Sequence, residues 1–147
     1  MPQITAYVDT SLLALRYLEH PDSPYARRLL REHKLVTSAI TSVELVSVLK
    51  QRFATGDLTA DAEEAVLRRI GDDEASWDRV RVSEEVLSRA REVIKQTGLR
   101  SLDAIHLATA LIRRNGANCP LRFLTRDSGQ GAAARALGFE VLGLPRA

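Results

Sequence analysis

The chain has 147 residues, of which 45% are hydrophobic and 27% charged, the proportions of a globular domain rather than of a disordered or fibrous chain. At that length roughly two thirds of the unfolded surface can be buried, so one domain over residues 1–147 is expected to hold its own core. The formal net charge is +2, and eighteen of the 21 basic residues are arginine, a side chain suited to phosphate and carboxylate recognition but equally at home on solvated helix faces.

Cys119 is the single cysteine, which excludes an internal disulfide, and no Cys/His spacing around it suggests zinc. A reducing cytoplasm is the expected location. No apolar run reaches the roughly 18 residues needed to span a bilayer, and MPQITAYVD lacks the layout of a signal peptide.

The first element, ITAYV at residues 4 to 8, is a short run rich in β-formers that stops at Asp9 and is followed by TSLLALRYL with helical apolar spacing. PDSPYARRLLREH reads as a second helix with its prolines at the start, where proline is tolerated, and KLVTS as a second strand. TSVELVSVLKQRF spaces Val46, Leu49 and Phe53 three and four apart, with Gly56 marking its end. LTADAEEAVLRRIG follows, with Thr59 as cap and Gly71 past the end, and these two helices are expected to form a hairpin. WDRVRV alternates as a sheet-edge strand with Trp77 in the core. SEEVLSRAREVIKQTG is a helix from Ser83 to Gly98. After LRSLDAIHLATALI come LRFLT as a fourth strand, SGQGAAARALG as a short helix and FEVLGL as a fifth strand. Strands alternating with helices predict an α/β domain with a largely parallel sheet covered on both faces.

Four acids fall where such a fold places its chemistry, outside the carboxyl ends of strands. Asp9 directly follows ITAYV and Asp127 lies close behind LRFLT, while Glu44 and Asp103 sit in the first turns of helices. Each has an innocent explanation taken singly. Thr41-Ser42-Val43-Glu44 fits a capping box, Asp103 suits a helix dipole, and Asp9 or Asp127 can cap a helix. Asp103, however, shares a helical face with Leu99, Leu107 and Ala110, and a dipole worth about 1 kcal/mol does not offset deep burial of a charge. It needs a compensating cation, and no lysine occurs after Lys95. Arg100, Arg114 and Arg126 are open as structural partners.

Carboxylates at about 4 Å repel by roughly 4 kcal/mol per pair at an effective dielectric near 20, so a cluster takes up protons or binds a cation. Oxygen ligands without Cys or His imply Mg²⁺ or Mn²⁺. Such an ion polarises a phosphoryl group and acidifies water, which is nuclease or phosphotransfer chemistry.

Four segments in order, VDTS at Asp9, SAITSVELVSVL at Glu44, LRSLDAIHLATAL at Asp103 and LTRDSGQGAAARALGFEVL at Asp127, resemble PIN-domain proteins, and among them the VapC-type toxin ribonucleases of toxin–antitoxin pairs. The resemblance covers nearly the whole chain. It implies a three-layer sandwich around a mostly parallel five-stranded sheet, and a metal-dependent endoribonuclease. Asp9, Glu44 and Asp103 match the family's core acids, and Asp127 fills a fourth position that varies. Ser11 matches a polar residue that orients the first acid, and Thr125 a small hydroxyl residue near the fourth. A homodimer and a cognate antitoxin are implied by the same similarity. The glycine pair in SGQGAAAR departs from bulkier residues in relatives and is expected to loosen the loop after Asp127.

Rivals are weaker. Gly129, Gly131 and Ala134 satisfy a dinucleotide-binding G-x-G-x-x-A, but the next strand acid, Glu140, comes too early and no room remains for further units. An aspartyl phosphatase would want a second acid where Ser11 stands. A non-catalytic RNA- or protein-binding module with arginine-paired acids remains open, and affinity for Mn²⁺ separates it. His106 reads as a satisfied core histidine rather than a general base, and His20 and His33 carry no role. Arg100, Arg113, Arg114 and Arg126 are candidate RNA phosphate contacts.

Overall fold

Ile4–Val8 forms β1, and its alternation sorts the core into two layers, because successive strand side chains point to opposite faces. Ala6 and Val8 join one apolar cluster and Tyr7 the other. The structure is a computed structural model that describes residues 3–56 and 59–146. Met1 and Pro2 of the MPQITAYVD segment, and Leu58, which opens LTADAEEAVLRRIG, lie outside the described residues.

The strands are β1, β2 (His33–Ser38), β3 (Asp78–Val80), β4 (Arg122–Leu124) and β5 (Val141–Leu142). They pair in the order β3-β2-β1-β4-β5, every pairing parallel. Helices α1 (Thr10–Leu13), α2 (Ser23–Glu32), α3 (Thr41–Phe53) and α4 (Ala60–Glu74) supply Leu12, Leu29, Leu45 and Ile70 to the cluster on one face. Helices α5 (Glu84–Thr97), α6 (Ser101–Ala117) and α7 (Ser128–Ala136) supply Val93, Leu107 and Ala134 to the other. This is the expected α/β three-layer sandwich, with a wholly parallel sheet. From β1 the chain crosses to β2 on one side and reaches β4 on the other, so the reversal of strand order opens a crevice at the carboxyl end of β1. Asp9 is the next residue.

Among the described residues no helix is long and apolar enough to cross a membrane. Trp77 is buried in the first cluster and β3 is an edge strand, as their patterns require.

Four local readings change. The stretch after Asp9 is one turn of α-helix followed by a 3-10 turn at Ala14–Arg16 rather than a single helix. Gly71 does not end α4, which continues to Glu74. The reason is tertiary: Asp73 Oδ2 accepts from Arg16 Nε at 3.0 Å and Tyr17 Oη at 2.6 Å, so the last turn is pinned to the 3-10 segment. The capping box at Thr41 does not form. Ile40 is the N-cap, and the Thr41 hydroxyl bonds to Thr37 Oγ1 at 2.7 Å. Nor do Gly129 and Gly131 loosen a loop, since both lie within α7. A Cβ on Gly131 would stand 3.1 Å from the Leu144 side chain, so the helix packs there because a side chain is missing. With Asp127 capping α7, the G-x-G stretch is helix rather than a phosphate-binding turn.

Candidate functional site

Asp9 leaves β1 in an extended conformation and caps α1, its Oδ2 accepting from the Ser11 backbone N–H at 3.0 Å. A capping residue points its carboxylate at the helix N-terminus, and here that direction is into the crevice. Asp9 is only 4% exposed. Glu44 comes from the first turn of α3, and its side chain turns inward instead of back to its own cap. Oε1 accepts from Thr10 Oγ1 at 3.0 Å and meets His106 Nε2 at 2.5 Å. A cap is worth about 1 kcal/mol, less than the charge-assisted partners this orientation gains.

Asp103 and His106 arrive together on α6. That helix must start at the carboxyl edge of the sheet, because β4, which it feeds, starts at the opposite edge. Asp103 is half-buried, not deeply buried as its apolar neighbours suggested, while Leu107 and Ala110 on the same face are fully enclosed. Its carboxyl is held above the ordinary range, first by burial and then by the charges of Asp9, Asp127 and Glu44, with His106 opposing them. Asp127 is exposed at the rim, where it caps α7 by accepting from the Gln130 N–H at 2.9 Å.

The group that opposes the charge of the acids is His106 rather than an arginine. It is 1% exposed, its Nδ1 lies 2.6 Å from Tyr7 Oη, and its Nε2 lies 3.6 Å from Asp9 Oδ1 as well as against Glu44. Burial lowers its pKa, but the Glu44 hydrogen bond and the charges of Asp9, Glu44 and Asp103 together raise it above the ordinary value. Burial acts against the Glu44 carboxylate too, and the hydrogen bond and charge of His106 with the Thr10 bond hold it below the ordinary range. Tyr7 is pushed well up by burial and by Asp9, which leaves its hydroxyl protonated beside Nδ1.

Ser11 and Thr125 frame the cluster. Their hydroxyls lie 3.3 Å apart, Ser11 Oγ accepts from the Arg126 N–H at 3.0 Å, and Thr125 Oγ1 accepts from the Asp127 N–H at 3.1 Å. Thr125 also donates to Gln130 Oε1 at 2.7 Å, which turns the Gln130 amide so that Nε2 reaches Asp9 Oδ1 at 3.3 Å and the Asp103 carbonyl at 3.4 Å. The fully buried Gln130 thus ties three of the segments together.

The arginines divide differently. Arg100 is exposed at the N-cap of α6, just before Asp103. Arg114 lies in the last turn of that helix, at the far edge, where it donates to the Leu137 carbonyl at 2.9 Å and stacks over Phe139. Arg113 pairs with Asp78 at 2.6 Å. Arg126 stays near the acids, bonded to Asp22 and the Gly143 carbonyl.

Sequence reasoning passed over Thr10, Gln130 and the charge role of His106. The signals were there: His106 follows Asp103 by three residues and Gln130 follows Asp127 by three, the spacing that places side chains on one helix face.

The PIN domain model matches residues 6–136, which contain all four acids. The chain belongs to the PIN-domain family. Members of this family are metal-dependent nucleases. A relative of known name, Ribonuclease VapC46 of Mycobacterium tuberculosis, is 34% identical over 137 residues, covering 92% of this chain and 95% of that one. The PIN fold recurs in solved structures of low identity. A toxin–antitoxin complex from Klebsiella pneumoniae matches with a TM-score of 0.66 at 21% identity, over 87% of this chain and 91% of that one. VapC20 of Mycobacterium tuberculosis, a sarcin–ricin loop cleaving toxin, matches with a TM-score of 0.66 at 19% identity, over 92% and 96%.

The donor chemistry of this PIN site is hard: carboxylate oxygens whose mutual repulsion is felt at Asp103, which is what a divalent cation relieves. Among the described residues, no three His, Cys, Asp or Glu side chains are yet arranged to hold a metal ion. His106 engages Glu44 and approaches Asp9.

Proposed function

We propose that this protein is an endoribonuclease dependent on Mg²⁺ or Mn²⁺, the toxin of a toxin–antitoxin pair, and that Asp9, Glu44, Asp103 and Asp127 hold the metal. The observation that carries the reading is that Asp103 feels the charges of Asp9, Asp127 and Glu44 from three other elements, with the buried His106 opposing them, at the carboxyl edge of the sheet. The 34% identity to a ribonuclease over most of the chain supports the reaction class.

When bound, the divalent ion supplies polarisation of the phosphodiester and acidification of a water molecule. The chain's own residues provide orientation. Ser11 N–H and the Gln130 amide fix the two oxygens of Asp9, and Thr10 fixes Glu44. Thr125 holds Gln130 and the backbone of Asp127. His106 Nε2 stands between Glu44 and Asp9 and links the two acids. RNA is the proposed substrate, a cognate antitoxin the proposed partner and the cytoplasm the proposed location. The toxin–antitoxin complex among the structures of this fold supports the partner, and a homodimer is proposed from family likeness.

Asp9→Asn and Asp103→Asn keep shape but remove a negative ligand, so each is expected to abolish RNA cleavage while the circular dichroism spectrum stays unchanged, and EDTA is expected to stop the wild type. Undiminished cleavage by both variants would falsify the assignment. A second reading, a non-catalytic module whose acids are paired internally, draws on the His106–Glu44 contact. Calorimetric titration with Mn²⁺ separates the two, because saturable binding that is lost in Asp103→Asn excludes the module.

A further inference from the structure

A concavity lined mainly by cations opens at Arg126, the residue before Asp127. It encloses about 310 Å³ and is lined by Asp22, Tyr25, Arg28, Arg126, Leu144 and Arg146 among others. Three guanidinium groups face one carboxylate there. Arg126 is paired with Asp22 at 2.6 Å and is 14% exposed on its side chain. Arg28 reaches Glu32 at 3.8 Å, an exposed contact one helical turn away that contributes little. Arg146 makes no ion pair among the described residues. Both Arg28 and Arg146 stack over the Tyr25 ring, their Cζ atoms 5.3 and 5.4 Å from its centroid.

Gathering like charges in a hollow destabilises the fold unless an anion offsets them, and low-dielectric walls focus the resulting field. The arrangement is specific in kind as well as sign. Guanidinium forks suit phosphate oxygens, and the ring stacked against two of them holds those forks in place. Its position is set by the backbone. Arg126 immediately precedes Asp127 and donates its N–H to Ser11 Oγ, and Ser11 in turn donates its own N–H to Asp9. The guanidinium end of Arg126 meanwhile reaches Asp22 and the Gly143 carbonyl. One residue therefore spans from the carboxylates to the basic hollow.

We infer that this Arg28–Arg126–Arg146–Tyr25 hollow is a nucleotide-binding subsite that holds the single-stranded RNA next to the scissile phosphodiester. The inference rests on the ribonuclease reading for the cleavage, but not for the binding itself. The guanidinium groups hold backbone phosphates, two of them steadied over Tyr25, so the strand enters the acid cluster from a fixed side. Because phosphate contacts carry no base identity, the subsite contributes affinity and direction rather than sequence selection.

The test measures binding separately from cleavage. A 5′-fluorescein-labelled, random-sequence RNA of twelve nucleotides is titrated with the full chain in EDTA, by fluorescence anisotropy, between 50 and 200 mM KCl. The double variant Arg28→Ala/Arg146→Ala is expected to weaken binding about tenfold and to reduce the slope of log K against log salt by about 1.4, the value for two lost single-strand phosphate contacts. Arg89→Ala/Arg91→Ala removes the same charge from the exposed face of α5 and is expected to stay within twofold of the wild type. Equal weakening by both double variants, or none by the first, overturns the inference. So does a twelve-residue polyglutamate peptide whose binding is lost in the first variant while RNA binding is kept, since that assigns the hollow to an acidic protein segment. Cleavage in Mg²⁺ is a separate arm: a wild type that binds RNA through these arginines but cuts none sinks the nuclease reading and leaves the subsite standing.

Discussion

Asp103→Asn should do two things at once: abolish cleavage and raise the melting temperature. The charged form of Asp103 is disfavoured in the folded protein by burial and by three neighbouring acids, and only His106 opposes. At an effective dielectric of about 20, two unit charges set about 8 Å apart interact by roughly 2 kcal/mol. His106 cancels about one of the three repulsions, leaving a nominal excess of about 4 kcal/mol. Asp103 is half-open to solvent, and screening over a Debye length of about 8 Å at physiological salt removes most of that excess. A gain of about 1 kcal/mol remains for the neutral amide, or about 2–4 °C in a chain of this size. Scanning calorimetry at pH 7 in EDTA reads it directly. The gain should shrink in 1 M KCl, where the repulsion is screened. It should also shrink as the pH falls and the wild-type carboxyl takes up its proton, because an acid whose folded pKa is raised destabilises the fold only while ionised. Mg²⁺ should raise the wild-type melting point more than that of the variant. A variant that melts several degrees below the wild type in EDTA would show that the carboxylates are not repelling one another, and the metal argument built on that repulsion would go with it.

Two other perturbations test the frame around the site. Gly143 has φ +101°, and a Cβ there would stand 2.2 Å from Leu12 Cδ1 and 3.0 Å from the Thr125 carbonyl. Gly143→Ala therefore combines a left-handed backbone cost of about 1–2 kcal/mol with overpacking of about 1–3 kcal/mol, and a melting point within 2 °C of the wild type would contradict that packing. Asp73→Asn weakens the clasp between α4 and the Arg16–Tyr17 segment and should cost about 1–2 kcal/mol at neutral pH. Burial opposes the Asp73 charge, but the bonds from Tyr17 and Arg16 hold its carboxyl below the ordinary value of 3.8. Its contribution is therefore full above about pH 4 and lost as pH falls through the folded pKa, so urea melts of variant and wild type should converge in that acidic range and nowhere above it.

Local chemistry was enough to read the order of elements, the parallel α/β class and the place of each acid at a strand or helix end. Short β-rich runs, helical spacing and glycine or serine punctuation are properties of neighbouring residues, and Ser83, Gly98 and Gly56 mark their helices as read. Asp9 and Asp127 were legible because an acid directly after a strand has one place to go in a parallel sheet. What neighbours could not decide was the partner of each side chain. Thr41 and Glu44 fit a capping box on paper, yet Glu44 turns to His106, a residue brought to it by a different helix. Gly71 looked like a stop, and a clasp from Asp73 to Tyr17 carried the helix through it. Arg114 and Arg126 looked alike as phosphate contacts, and α6 carries one to the far edge while Ser11 ties the other beside the acids. Periodicity places residues on faces. Charge compensation across the chain depends on which faces meet, and that is a property of the folded sheet alone.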